Sequence, residues 1–240
     1  EKNDFTDLCI SLATEMVSMG KNISMEEARK KVINSIRHGL AYNKFLEFPV
    51  NIKKKNTRLA NIVATQYGGP NGELGASLRY LSQRYTMPDD VTKGLLTDIG
   101  VEELGHLEMV GTLVKQLSDG ECAEDWIKMG SWEYYADNGA SVYPQNTQGS
   151  PFTAASIAVT GDAITNLFED LAAEQKARLS YDNLLRLIDD PDVCDPLKFL
   201  RERELVHYQR FGESLRRTTD RLNSKNFYAC NPSFDKKCGR

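Results

Sequence analysis

The sequence lacks most of what several large function classes require. No apolar run approaches the ~18 residues that span a bilayer, and no charged-then-apolar leader opens the chain. Membrane insertion and secretion are therefore not expected, and a cytoplasmic setting is the default. Basic residues form no long run, and 34 Asp plus Glu against 30 Lys plus Arg leave a formal net charge of -4. Nucleic acid and anionic membranes are accordingly not the expected partners. The five cysteines, Cys9, Cys122, Cys194, Cys230 and Cys238, are widely spaced with no Cys-x-x-Cys, which argues against a zinc knuckle or a disulfide framework. Most read as idle thiols; Cys230 and Cys238, near a polar C-terminus, are candidates for cross-links to another chain in an assembled layer. Histidine is scarce too, with three in the chain.

Two of those three sit in a repeated setting, Glu103-Leu104-Gly105-His106 and Glu204-Leu205-Val206-His207. Residues three apart share a helix face, so each pair brings a carboxylate and an imidazole to one point. Around the first pair the apolar residues fall at Leu96, Ile99, Val110, Leu113 and Leu117, and Glu103 and His106 occupy the missing beats of that stripe. Leu200, Phe211 and Leu215 do the same around Glu204 and His207. Buried carboxylates need partners, and a metal ion satisfies several at once. The third histidine, His38, has Ser35 three places before it and reads as a solvated or capping residue.

Read in order, residues 1–48 form an N-terminal extension of two short helices. Thr6 is placed to cap the first, which ends near Gly20. Ser24-Met25-Glu26-Glu27 is a capping box for the second, closed by Gly39. This extension, through Asp4-Phe5-Thr6-Asp7-Leu8-Cys9, Met25-Glu26-Glu27-Ala28-Arg29-Lys30 and Ala41-Tyr42-Asn43-Lys44-Phe45, resembles a helical segment of pyrimidine-nucleoside phosphorylases. It includes no glycine-rich phosphate loop, so no activity is carried over, and it reads as a fused segment.

Residues 49–222 read as one domain and 223–240 as a polar tail. After an extended lead and a short helix at about 58–67, Gly68-Gly69-Pro70-Asn71-Gly72 breaks the chain. A helix to about Tyr85 then places Glu73, Ser77, Tyr80 and Arg84 on one face. A second long helix ends near Ser118. Residues 119–151 read as a long aromatic loop, of a length that usually has a function. A third long helix spans about 152–188, with a possible break at Gly161-Asp162, and carries Glu174 on the face of Leu167, Leu171 and Tyr181. The fourth runs from Cys194 or Pro196 to Leu222. With no strand pattern, this is an all-α chain, a four-helix bundle with an extra N-terminal segment.

The bundle collects Glu73, Glu103 with His106, Glu174, and Glu204 with His207 from four helices, the ligand layout of ferritin-like di-iron and di-manganese proteins. Glu102, Glu108 and Glu202 fall off these faces and read as solvated charge. Tyr80, two turns beyond Glu73, reads either as a core tyrosine or as a phenol that orients a ligand carboxylate.

Residues from about Pro49 to Lys236 resemble manganese catalases, and more narrowly the spore-coat branch of that family. The resemblance is carried by Gly68-Gly69-Pro70-Asn71-Gly72-Glu73-Leu74, Leu78-Arg79-Tyr80-Leu81-Ser82-Gln83-Arg84-Tyr85, Asp98-Ile99-Gly100-Val101-Glu102-Glu103-Leu104-Gly105-His106-Leu107-Glu108-Met109, Ala173-Glu174-Gln175-Lys176-Ala177-Arg178 and Arg201-Glu202-Arg203-Glu204-Leu205-Val206-His207. It implies two manganese ions per chain held by Glu73, Glu103, His106, Glu174 and His207, with Glu103 able to bridge. It also implies a free carboxylate at Glu204, a supporting phenol at Tyr80, and hydrogen peroxide as substrate. A homo-oligomer, usually a hexamer, is implied as well, with other spore-coat proteins as further partners and the cytoplasm or the spore coat as location. Two departures qualify it. Ala173 stands where one branch has an arginine, so that branch's arginine-gated proton network is not expected. Gly94 stands where some members have a calcium-binding aspartate, so calcium is not expected. Iron in place of manganese, as in a di-iron oxidase or ferroxidase, and a structural coat protein with a vestigial site are the competing readings.

Overall fold

The computed structural model describes residues 4–39 and 52–224. The chain divides into two units, Glu1–Val50 and Asn51–Arg240. The expected lead at Pro49-Val50-Asn51 and nearly all of the expected tail, with Cys230 and Cys238, lie outside the described residues. Among the described residues there are helices and one isolated bridge, between Gln145 and Pro151, but no strand.

In the first unit α1 (Asp4–Lys21) and α2 (Met25–Arg37) form a helical hairpin. Ser24 caps α2, its hydroxyl accepting from Glu27 N at 3.2 Å. His38 occupies the C-cap, and Gly39 follows in the left-handed region at φ 64°. The capping reading of His38 therefore stands.

The second unit opens with α3 (Thr57–Val63) and α4 (Thr65–Gly68), followed by α5 (Glu73–Gln83) and α6 (Asp90–Ser118). Two short helices, α7 (Ala123–Lys128) and α8 (Trp132–Asn138), interrupt the stretch expected to be irregular. Within it Trp126 stacks on Tyr134, ring centres 5.6 Å apart. The last two helices are α9 (Ala163–Leu187) and α10 (Pro191–Ser224).

Both of these starts correct the sequence reading, and capping explains each. Helix α9 cannot reach back to Phe152: Gly161 sits at φ 81°, and Asp162 caps the helix by accepting from Thr165 N at 2.8 Å. Helix α10 begins before Cys194 because Asp190 accepts from Asp192 N and Cys194 N, with Pro191 in the first turn, where a missing N–H costs nothing.

Cross-helix contacts give the topology. Ser77 Oγ donates to Gly100 O at 2.7 Å, and Arg201 pairs with Asp182 at 3.0 Å, so α5–α6 and α9–α10 are antiparallel hairpins. Tyr80 meets Glu174 while Tyr181 meets Glu73, so α5 and α9 are antiparallel too. It follows that α6 and α9 run the same way. Consecutive parallel helices need a connection that returns along the bundle, and residues 119–162 provide it. One long crossover is the ferritin-like arrangement. Arg79, buried at 2% exposure, fastens the end of this crossover to α5 by donating to the carbonyls of Ser156 and Ile157, both at 3.0 Å. Arg84, the guanidinium expected on one face with Glu73 and Tyr80, lies over the Tyr85 ring.

The Gly68 backbone packs against the crossover so closely that an added Cβ would lie 2.1 Å from Pro144 C. Gly68→Ala is expected to cost about 1–3 kcal/mol through overpacking. Gly94, in α6 with nothing within 4 Å of an added Cβ, is the contrast. Gly94→Ala should stabilise by about 0.5–1 kcal/mol by easing the entropy lost in the helix. Thermal melts of the two variants should move in opposite directions.

Candidate metal centre

The expected inner faces are inside the bundle. Glu73, Glu103, Glu174, Glu204 and His207 are each no more than 1% exposed, and His106 is 3% exposed. On α6 the stripe of Leu96, Ile99, Val110, Leu113 and Leu117 is buried with them, as are Leu200 and Phe211 on α10.

Glu103 sits at the middle. Its Oε2 is 2.7 Å from His106 Nδ1 and its Oε1 is 2.9 Å from His207 Nδ1. Glu73 Oε2 approaches His106 Nδ1 at 3.7 Å, and Glu174 Oε2 approaches His207 Nδ1 at 3.6 Å. The donor atoms therefore form two overlapping groups. One is Glu73, Glu103, His106 and Glu204; the other is Glu103, Glu174, Glu204 and His207, with the atoms of each within 4.8 Å of one another. The groups share Glu103 and Glu204.

Two phenols hold the outer carboxylates crosswise. Tyr80 donates to Glu174 Oε1 at 2.5 Å, and Tyr181 donates to Glu73. Each tyrosine lies two turns beyond the glutamate of its own helix and serves the glutamate of the other. Burial, then the facing Glu174 or Glu73 charge, pushes both phenols well above their usual range, so each stays an O–H donor. The Tyr80 ring also packs 4.8 Å from that of Phe211 in the core.

The electrostatics describe a site short of positive charge. Burial, then the charge of Glu103, raises Glu73 to about 8. Burial raises Glu174 as well. Glu204 is driven well above the carboxylate range by burial and then by the charges of Glu174, Glu73 and Glu103. Glu103 alone among the four is held low, at about 2: burial would raise it, but the close contacts and charges of His106 and His207 together outweigh that. The imidazoles answer in kind. Burial would lower both, but Glu103 and Glu73 push His106 up to about 10, and Glu102, Glu103 and Glu174 push His207 up to about 12.

This donor set fits two divalent cations. Carboxylates offset the charge of such cations, and carboxylate with imidazole suits manganese or iron. Glu103 Oε1, Glu174 Oε2, Glu204 Oε1 and both ring nitrogens of His207 are buried without an aligned hydrogen bond. Such atoms are rarely left unsatisfied in a protein interior.

Three residues near the site escaped the sequence reading. Tyr181 was legible as a core position but not as a partner of Glu73. Glu102 is not a solvated charge: it is half-buried, pairs with Arg203 at 2.6 and 3.1 Å, and is held well below the usual carboxylate range by His207 and Arg203. Asp170, one turn before Glu174, is fully buried with both carboxylate oxygens lacking a hydrogen bond. Its burial raises it well above the usual range against the weaker pull of Gln83 and Arg79.

An acid with a raised native pKa loses stability as pH climbs from its unfolded value, near 4, through its native one. Asp170→Asn removes that loss. It should match the parent near pH 4 and exceed it at pH 7 to 8 by about 1–3 kcal/mol, the scale of one unsatisfied buried polar group. Thermal melts across that range test this.

Residues 40–229 match the family described as manganese containing catalase, so α1 and α2 lie outside the match. Protein CotJC of Bacillus subtilis strain 168 is 46% identical over 187 residues, covering 78% of this chain and 98% of that protein. A probable manganese catalase of Clostridium acetobutylicum is 34% identical over 178 residues, covering 74% of this chain and 79% of the relative. The crystal structure of KatB, a manganese catalase from Anabaena, superposes with a TM-score of 0.63 at 30% identity, covering 80% of each chain.

Proposed function

The chain belongs to the manganese-containing catalase family, and from that premise we propose which of its side chains carry the reaction. The protein is a manganese catalase, converting two molecules of hydrogen peroxide to two of water and one of dioxygen. Its buried carboxylate and imidazole cluster fits a pair of manganese ions.

In this proposal Glu73, Glu103 and His106 would hold one ion and Glu103, Glu174 and His207 the other, with Glu103 common to both. The observation that carries it is the position of Glu103, with one oxygen facing each histidine. Oxidising one peroxide releases dioxygen, two electrons and two protons; reducing a second consumes both and leaves two waters. When bound, the two manganese ions store the two electrons, one each.

The chain supplies placement and proton transfer. Tyr80 and Tyr181 fix the outer carboxylates so that neither swings into the reacting space. Glu204 faces both donor groups, and its burial among three other carboxylates favours the protonated form. That raised proton affinity suits a group that takes a proton in one half-reaction and returns it in the other. Glu204 is therefore the proton carrier in this reading, not a ligand.

We further place the protein in the spore coat, on the branch resemblance and on the likeness to Protein CotJC, and as a homo-oligomer, six by that resemblance. Exposed Val101, Leu104, Phe168 and Leu179 on the outer faces of the bundle support assembly. No helix among the described residues is long and apolar enough to cross a membrane.

Metal analysis of the native protein paired with oxygen release on adding peroxide tests the proposal. Manganese near two per chain with rapid release is expected; iron without release, or little metal in a stable assembly, would contradict it. Light scattering on the same sample reads the assembly.

A further inference from the structure

Both imidazoles turn Nδ1 toward Glu103, which leaves Nε2 of each at the outer edge of its ring. Those two nitrogens converge on a single carboxylate. His106 Nε2 lies 3.4 Å from Glu102 Oε1, and His207 Nε2 lies 3.2 Å from Glu102 Oε2. The rings are stacked, 18° from parallel with centres 5.5 Å apart, so the two oxygens of one carboxylate face one ring each.

Glu102 is in turn clamped. Arg203 donates to it through Nε at 2.6 Å and Nη2 at 3.1 Å, a two-point fork that fixes its plane. The clamp joins α6 to the helix that carries His207. The His207 Nε2 contact is close without being in line, so His207 Nε2 remains a buried donor in need of an acceptor. Histidines that bind a metal through one ring nitrogen commonly give the other N–H to a carboxylate, which sets tautomer and ring orientation.

We infer that Glu102 is a positioning residue for both histidines: one carboxylate, held by Arg203, accepts from Nε2–H of His106 and of His207 and gives the two metal positions a common support. The inference rests on the reading that both histidines are manganese ligands. It differs from the plainer view of Glu102 and Arg203 as an interhelical salt bridge. A bridge of that kind affects stability alone, whereas a shared support affects how tightly both ions are held and how they are coordinated.

The test is Mn(II) binding to the full-length chain by equilibrium dialysis, together with the EPR spectrum of the two-Mn(II) protein, in Glu102→Leu, Glu102→Gln, His106→Ala and His207→Ala. Loss of an outer partner should weaken binding about 10–100-fold. For Glu102→Leu this is expected at both positions, while each histidine variant should weaken chiefly one. Glu102→Gln keeps the volume of Glu102 and carries the test if the leucine variant does not fold. Its amide offers an acceptor to one ring and a donor to the other, so its EPR spectrum at saturating Mn(II) should differ from that of the parent. A folded Glu102→Gln protein with parental affinity at both positions and an unchanged spectrum would overturn the inference. If the histidine variants alone lose manganese, only the role of Glu102 falls. If they too bind two ions at parental affinity, the ligand reading falls and takes this inference with it.

Discussion

Glu204→Gln is expected to keep two manganese ions per chain and to release oxygen from peroxide about 10²–10⁴-fold more slowly, the usual loss when a positioned proton carrier is removed. Glutamine matches glutamate in shape and volume and carries no charge into this buried position. The substitution should therefore fold and pack as the parent does. What it removes is the ability to take up and return a proton. The outcome separates two roles that geometry leaves together, because Glu204 reaches both donor groups. A ligand would lose metal and turnover in parallel, whereas a proton carrier loses turnover alone.

His207→Ala should reduce manganese to about one ion per chain and abolish oxygen release. Its Nδ1 is the nitrogen that faces Glu103 at 2.9 Å and Glu174 at 3.6 Å, and alanine leaves that group with carboxylates alone. Removing a ligand should cost at least the 10–100-fold in affinity, roughly, that loss of an outer partner costs. Turnover should fall further than metal content, because storing two electrons as one per ion requires both. Since the native carboxylates push His207 up to about 12, ligation must displace a proton. Manganese binding to the parent should accordingly release protons and weaken as pH falls. Retention of both ions would remove His207 from the ligand set.

The parts of this site that were legible in the sequence are those written along a single helix. Glu103 and His106, and Glu204 and His207, appear as gaps filled in an apolar stripe, because burial and helical period are both local properties. Tyr80 was visible for the same reason, two turns from Glu73. The residues that escaped notice depend on how helices cross. Nothing in the neighbourhood of Tyr181 says that its hydroxyl meets Glu73 on another helix. Its antiparallel counterpart, Tyr80 with Glu174, becomes a guide only once the direction of α9 relative to α5 is known. Glu102 looked like exposed charge because it lies off the inner stripe of α6. It is the approach of α10, bringing Arg203 and His207, that draws it inward.

The fold divides in the same way. Helix α6 was readable end to end, whereas the start of α9 was not. The stretch before it is apolar enough to suggest helix, but Gly161 in the left-handed region and the Asp162 cap end that continuation. The long crossover reads in the sequence as an aromatic loop of unusual length. Its length has a simpler cause in the parallel course of α6 and α9, which requires a return along the bundle.

The most direct measurement is anomalous diffraction from crystals of the manganese-loaded protein, with data on both sides of the manganese absorption edge. Two peaks per chain are predicted, one among Glu73, Glu103 and His106 and one among Glu103, Glu174 and His207, with Glu103 reaching both and Glu204 bound to neither. A single peak, peaks outside this cluster, or no edge-dependent signal there would contradict the account.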